Sequence, residues 1–219
     1  MIKGKIIDIA PDGMATIQAT VPLQQFVHRQ VKEVAIELLD SRSLSDKQRR
    51  CCYALIKEIA DWSGETTEGA KTTLKLDFLS DRVDAISTNL FSLSNAPMSL
   101  IADFQKYLIN LILEYDIPTK APLWQFADDI NHYVYLCVIR KKCAVCGKHC
   151  DLHHLNGSTV GMGNNRNEVE HLGREVMSLC RSHHNEAHTI GQKEFFEKYH
   201  FDKGVIVDKN ILKLYKLKR

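Results

Sequence analysis

Apolar and polar residues alternate in several runs near the start of the chain, a pattern typical of short β-strands. Two such runs, residues 2–9 and 14–21, flank a Pro-Asp-Gly turn that ends at Gly13. This turn predicts a β-hairpin in which the glycine takes a positive φ. We predict a short helical turn at residues 23–30 and a third strand at 31–39.

After Ser45 the apolar residues recur every three or four positions, which predicts amphipathic helices. Ser45 is expected to cap a helix that runs to about Trp62 and ends at Gly64. The further predicted elements are helices over 67–79, from Pro97 or Ser99 to Tyr115, over 124–139 and over 192–199, and a strand over 205–207. Strands and helices in this order predict an α+β protein.

Composition narrows the class of protein. The chain is 44% hydrophobic and 26% charged, which is ordinary for a globular protein. No apolar run reaches the roughly 18 residues that cross a bilayer, and the N-terminus does not resemble a signal peptide. Seven cysteines, several at metal-ligand spacing, fit a reducing compartment better than a disulfide scaffold. We therefore expect a cytoplasmic protein without a membrane partner.

The net charge of +2 gives little indication of a polyanionic partner, but basic residues are concentrated at a few places. We interpret these as phosphate contacts, and ordinary solvated charge is the open alternative. The candidate nucleic-acid-binding residues are Gln48, Arg49, Arg50, Arg140, Lys141, Lys142 and Arg181. Trp62 and Trp124 are candidate stacking platforms for unpaired bases, although a core or interface role fits both better.

Two pairs of potential zinc ligands share one spacing. Each pair is separated by two residues, which brings both side chains within reach of one ion, and zinc favours four such ligands in a tetrahedron. The predicted structural site consists of Cys143, Cys146, Cys180 and His183. His149 and Cys150 are rival ligands. Such a site would clamp together a module that is too small to fold well alone.

A second group of histidines indicates another metal site. His184 and His188 are four residues apart and would share one face of a helix. His153 and His154 are adjacent on a predicted strand, so their side chains point to opposite faces. One of this pair can bind an ion while its neighbour takes a proton from water.

These residues resemble the HNH (ββα-metal) endonucleases, in the subgroup with an embedded zinc ribbon. Asp151-Leu-His-His-Leu matches the family's first strand, and Leu179-Cys-Arg-Ser-His-His matches its helix start. The resemblance implies that His153, His184 and His188 bind a catalytic Mg²⁺ or Mn²⁺ ion. It makes His154 the general base and assigns structural Zn²⁺ to the Cys3His set. Residues 157–163 resemble the family's glycine-bearing loop.

The chain departs from the family pattern at one position. The middle asparagine usually lies five residues before the cysteine, and Glu175 stands there. Asn165 or Asn167 is an alternative source of its bracing role.

The N-terminal part is similar to NinB/Orf-type phage recombination proteins. The similar stretches are Ser45 to Ala60 and Met98 to Ile117. We therefore expect two domains: residues 1–135, a mixed domain of short antiparallel strands plus helices resembling recombination mediators, and residues 136–219, a small ββα-metal zinc-ribbon nuclease. The resemblance implies a bacteriophage protein in the host cytoplasm. It also implies single-stranded or branched DNA as substrate, a host single-strand-binding protein as partner, and a homodimer.

The resulting hypothesis is a metal-dependent DNA endonuclease of phage recombination that leaves 5′-phosphate and 3′-hydroxyl ends. The first alternative is a recombination mediator that binds single strands without cleaving them and uses the HNH domain as a DNA clamp. Glu175 at the asparagine position favours this alternative, and the intact His154 argues against it. A second alternative is a restriction-type enzyme that cuts duplex DNA at a specific site.

Overall fold

The structure is a computed structural model that describes residues 4–20, 42, 44–80, 91–155 and 169–217. By its internal contacts the chain divides into two units, residues 1–39 and 40–219. The helical turn and third strand predicted between residues 23 and 39 lie outside the described residues. The domain boundary expected near residue 135 stays a prediction.

The first unit contains the predicted β-hairpin. Strands β1 (Gly4–Ile9) and β2 (Ala15–Ala19) pair antiparallel, with a register shift between Ile6 and Asp8. Gly13 has a φ of 88°, which few residues other than glycine adopt readily. The hairpin prediction is confirmed.

The second unit begins with the helix that Ser45 was expected to cap. Helix α1 spans Asp46–Ser63, and the Ser45 hydroxyl accepts a hydrogen bond from the Gln48 backbone N–H. The Gln48 side chain returns the interaction by accepting from the Ser45 N–H at 3.2 Å, which completes a capping box. Gly64 ends the helix in the left-handed conformation.

Two more helices complete the first layer of the core. Helix α2 spans Thr67–Ser80 and α3 spans Met98–Glu114, close to their predicted bounds. Edge-to-face aromatic contacts join them, with Phe104 5.2 Å from both Phe78 and Phe91 between ring centroids. Such contacts add to the stabilisation from buried apolar area.

The single helix predicted over residues 124–139 is wrong. A 3-10 turn at Leu123–Phe126 is followed by a separate helix, α4, at Ile130–Arg140. The break occurs because the Asp129 side chain accepts from the His132 backbone N–H at 3.0 Å and so caps a new helix.

The remaining elements form the predicted ββα arrangement. Strands β3 (Asp151–His154), β4 (Glu175–Leu179) and β5 (Val205–Ile206) form an antiparallel sheet in that order. Helices α5 (Arg181–Ile190) and α6 (Gln192–Tyr199) follow β4. A last helix, α7, spans Lys209–Tyr215 and was not predicted. The α+β fold class is confirmed.

The small sheet separates two hydrophobic clusters. Leu152 and Val176 pack with residues of α4 and α7. Met177 and Leu179 belong instead to the large core that also contains residues of α1 to α4. This division follows from the alternation of side chains along strands. Within the described residues, no helix combines the length and hydropathy needed to cross a membrane.

Candidate metal centres and active site

The four predicted zinc ligands converge on one point. Their ligand atoms all lie within 4.8 Å of one another. The Cys146 and Cys180 sulfurs are 3.7 Å apart, and His183 Nδ1 lies 3.4 Å from Cys143 Sγ and 3.2 Å from Cys180 Sγ. His149 and Cys150, the rival ligands, are outside this cluster.

Backbone hydrogen bonds hold the two halves of the cluster in place. The Cys143 N–H donates to the Lys148 carbonyl at 2.7 Å, which closes the tight turn of the first pair. The Ala144 N–H donates to the Ser178 carbonyl on β4 at 2.9 Å, which ties that turn to the sheet. Cys180 is the N-cap residue of α5, so the second pair lies on the first turn of this helix.

The spacing and chemistry of the cluster fit zinc. Tetrahedral coordination with Zn–S near 2.3 Å and Zn–N near 2.0 Å places sulfurs about 3.8 Å apart and sulfur about 3.5 Å from nitrogen. Burial raises the pKa of Cys143 to about 12. Burial alone would also raise the pKa of Cys180, but the His183 backbone N–H and the neighbouring thiols lower it. The cluster is consistent with a structural zinc site.

Three other histidines form a second centre. His153 projects from β3, and His184 and His188 project from one face of α5. The ring of His153 lies 4.5 Å from that of His184 and 5.0 Å from that of His188 between centroids. One ring nitrogen from each residue lies within 4.8 Å of the other two. His183 and His184 are adjacent on α5, so this helix contributes a side chain to each centre.

The environment of His153 favours its neutral imidazole. The residue is 7% exposed. Burial, with the neighbouring His184 and His188, lowers the pKa of His153 to about 4. Its imidazole is therefore neutral near pH 7 and has the lone pair that a metal ion requires.

His154 is not part of this centre, and alternation along β3 predicts that its side chain lies on the opposite face from that of His153. Its Nε2 atom lies 3.0 Å from Nδ1 of His171, a hydrogen-bonding distance. His171 is completely buried and was not among the candidate residues, because no spacing pattern connects it to the other histidines.

Glu175, which stands at the family's asparagine position, makes a hydrogen bond within the sheet region. The Glu175 carboxylate accepts a hydrogen bond from the Gly204 backbone N–H at 2.7 Å. This bond links β4 to the segment that leads into β5. Asn165, Asn167 and the loop at 157–163 lie outside the described residues.

Most candidate phosphate contacts already have intramolecular partners. The buried Gln48 side chain belongs to the capping box, and Arg49 pairs with Asp46. Arg140 donates to Asn110 and Glu114 on α3. Lys142 pairs with Asp116. The Lys141 ammonium lies 5.1 Å from the centre of the Tyr215 ring. Arg50 and Arg181 are exposed. The candidate residues that the structure leaves most accessible are therefore Arg50 and Arg181.

The two tryptophans differ in exposure. Trp62 is 50% exposed and lies beside Tyr115, which is 58% exposed, with 6.4 Å between the ring centroids. Trp124 instead packs edge-to-face against Tyr199 at 6.3 Å. The interpretation of Trp124 as an internal packing residue agrees with this contact, whereas Trp62 forms half of an exposed aromatic pair.

Comparison with curated proteins finds no match, and comparison with solved structures finds none either. The family described as Putative HNHc nuclease matches residues 17–218, which is most of the chain. The match includes both the Cys3His cluster and the three-histidine centre. The chain belongs to the Putative HNHc nuclease family.

Proposed function

We propose that this protein is a divalent-metal-dependent endonuclease that hydrolyses phosphodiester bonds in single-stranded or branched DNA. The observation that carries the proposal is the convergence of His153, His184 and His188 at a centre separate from the Cys3His cluster. A second centre of this kind has no evident structural purpose, because the cysteine cluster already joins the turn at Cys143 to α5. Membership in a nuclease family supports the same reaction class.

His153, His184 and His188 hold the catalytic ion in this proposal. A divalent ion supplies Lewis-acid polarisation of the scissile phosphate and stabilises the leaving oxygen. Three protein ligands leave coordination positions open for the substrate. Of the two predicted ions, Mn²⁺ fits this set better than Mg²⁺, because imidazole suits transition metals whereas Mg²⁺ prefers oxygen ligands.

His154 acts as the general base. It follows the ligand His153 directly in the chain, yet its side chain lies on the other face of β3. In this proposal its imidazole accepts a proton from the attacking water. A positioned general base of this kind contributes typically 10²- to 10⁴-fold to the rate.

The exposed aromatic pair favours unpaired DNA as the substrate. Trp62 and Tyr115 are adjacent and each is at least half exposed. Stacking of unpaired bases on aromatic side chains is tolerant of sequence. Arg50 and Arg181 are the candidate phosphate contacts. The role in phage recombination, the host single-strand-binding protein and the homodimer are proposed from the N-terminal resemblance alone.

The proposal is tested by a cleavage panel of single-stranded, duplex, flap and four-way DNA with Mn²⁺, Mg²⁺ and EDTA. We expect Mn²⁺-dependent cleavage of the single-stranded and branched substrates. His154→Ala should reduce the rate about 10²- to 10⁴-fold, and His188→Ala should reduce it through weaker metal binding. His149→Ala is the matched control, because His149 is exposed and belongs to neither centre.

Other outcomes would favour the alternatives. Salt-dependent binding of single strands that persists in EDTA, without cleavage under any ion, would favour a non-cleaving recombination mediator. Site-specific cutting of duplex DNA would favour a restriction-type enzyme. Undiminished cleavage by His154→Ala would remove the assignment of the base.

A further inference from the structure

The buried His171 lies against the proposed general base. The Nδ1 atom of His171 and the Nε2 atom of His154 are 3.0 Å apart, and the two ring planes are inclined by 43°. His171 has no exposed surface, whereas His154 is half-buried. The pair therefore consists of one enclosed imidazole and one that is accessible from outside.

The backbone around His171 is fixed by several hydrogen bonds. The Arg174 N–H donates to the His171 carbonyl at 3.1 Å, and the Arg174 Nε donates to the Glu170 carbonyl at 2.6 Å. The Gly173 N–H donates to the Val207 carbonyl at 3.0 Å, and the Val207 N–H donates to the Arg174 carbonyl at 2.9 Å. This turn joins the chain just before β4 to the end of β5, so His171 stands on an anchored backbone.

The contact with His171 bears on which nitrogen of His154 can accept a proton. A neutral imidazole ring has one N–H donor and one lone pair. Nε2 of His154 is engaged with His171, so a proton from water would have to be accepted at Nδ1. Nδ1 carries the lone pair that this step needs only if Nε2 carries the hydrogen and donates it to Nδ1 of His171. The opposite arrangement would place the hydrogen on Nδ1 of His154 and remove its basic site.

We propose that His171 is a positioning residue that orients the His154 ring and holds it in the tautomer protonated at Nε2. This inference rests on the proposed role of His154 as general base. His171 does not touch the substrate in this account. It acts on His154 as the buried aspartate of a serine protease acts on its histidine, by fixing both ring orientation and tautomer.

The kinetic test uses two kinds of replacement. His171→Leu removes the acceptor and retains apolar bulk, whereas His171→Asn retains an acceptor oxygen near the position of Nδ1. We expect His171→Leu to lower kcat about 10- to 100-fold with KM within about twofold, and His171→Asn to recover most of the loss. The His154→Ala/His171→Leu double variant should be no slower than His154→Ala, because residues that act as a unit are not additive.

A spectroscopic readout separates this proposal from the proposed enzyme activity. Long-range ¹⁵N–¹H NMR of the histidine-labelled protein at pH 8 reports which nitrogen of His154 carries the hydrogen. We expect protonation at Nε2 in the parent and His171→Asn, and a tautomer mixture in His171→Leu. If the parent cleaves no DNA while this pattern holds, the proposed function fails and the positioning of His154 stands.

Several results would overturn the inference. Protonation of parent His154 at Nδ1 would do so at once, and this measurement requires no variant. A kcat of His171→Leu within twofold of the parent would also do so, as would a loss that adds in full to that of His154→Ala. An equal loss in His171→Asn and His171→Leu would indicate a packing role instead. Should His171→Leu fail to fold, His171→Met provides the same comparison.

Discussion

Cys146 allows the energetic role of the proposed zinc ion to be separated from ordinary side-chain burial. The other two cysteines of the cluster are buried, but Cys146 is exposed. Substitution of an exposed side chain usually changes the free energy of unfolding by no more than about 0.5 kcal/mol. A large loss of stability in Cys146→Ser would therefore have to come from the metal.

The expected loss can be calculated from the number of ligands. Zinc contributes about 10 to 16 kcal/mol in small zinc domains at neutral pH, so one of four ligands accounts for roughly 3 kcal/mol if the contribution is shared evenly. For a chain of 219 residues, each kcal/mol lowers Tm by about 2 to 4 °C. Cys146→Ser should therefore melt about 6 to 12 °C below the parent protein.

The matched control is Cys150→Ala. Cys150 is 5% exposed and close in sequence to the first pair, but it lies outside the ligand cluster. Loss of a buried sulfur atom should cost about 1 kcal/mol through lost packing and leave the zinc content unchanged. Zinc per chain is measured by chromogenic release after purification, and Tm by differential scanning calorimetry.

The two variants therefore have opposite signatures. Cys146→Ser should bind zinc more weakly although its side chain is exposed, and Cys150→Ala should keep the parental zinc affinity although its side chain is buried. Full zinc content and a parental Tm in Cys146→Ser would refute the assignment of the fourth ligand. Loss of zinc in Cys150→Ala would transfer that role to the rival cysteine.

Three further predictions concern the fold and the acid sensitivity of the site. Gly204→Ala should cost about 1 to 3 kcal/mol in urea unfolding, because its Cβ would lie 2.6 Å from the Val176 carbonyl oxygen and overlap Leu155; Lys203→Ala, at an exposed neighbouring position, should be nearly neutral. Ser45→Ala should cost about 1 kcal/mol, measured the same way, and a parental midpoint would contradict the capping box. The pKa of His153 falls from 6.5 to about 4 on folding. The contribution of neutral His153 to the free energy of unfolding is therefore complete above pH 6.5 and is lost as the pH falls from 6.5 towards 4. This amounts to about 3 kcal/mol. Without added catalytic ion, His153→Asn should lose less stability than the parent between pH 7 and 4.5. Equal losses would show that the acid sensitivity does not come from His153.

Contacts between residues close in sequence were predictable. His184 and His188 needed only the helical repeat, and each half of the Cys3His cluster needed only a two-residue spacing. The joining of the two halves across 34 residues was predictable because zinc requires four ligands and the second pair repeats the spacing of the first. Metal chemistry therefore supplied the long-range information that hydrophobic periodicity lacks.

His171 was not predictable on the same grounds. Its contact with His154 depends on the pairing of β3 with β4 and on a turn that is bonded to the end of β5. No short-range pattern encodes such a contact. The ion pairs of two candidate phosphate contacts were hidden from sequence analysis for a related reason. Arg140 and Lys142 precede the first cysteine in sequence, and they pair with acidic residues at the end of α3 or just beyond it.

Two helices that differ from the prediction have local signals in the sequence. Asp129 could be identified as a helix cap within an otherwise continuous apolar pattern, and its side chain separates α4 from the preceding turn. Asp208 caps α7, and the buried Ile211 and Leu212 anchor that helix beneath the sheet. A cap residue followed by spaced apolar residues in a polar segment predicts a helix.

The central claim is that one chain holds two different ions, a structural zinc ion at the cysteines and a catalytic ion at His153, His184 and His188. Anomalous diffraction from crystals soaked in Mn²⁺, collected at the manganese and zinc edges, tests it most directly. The account predicts a zinc peak within the Cys3His cluster and a separate manganese peak between the three imidazoles, lost in His188→Ala. A zinc peak alone, with no manganese density at the three histidines, would contradict it.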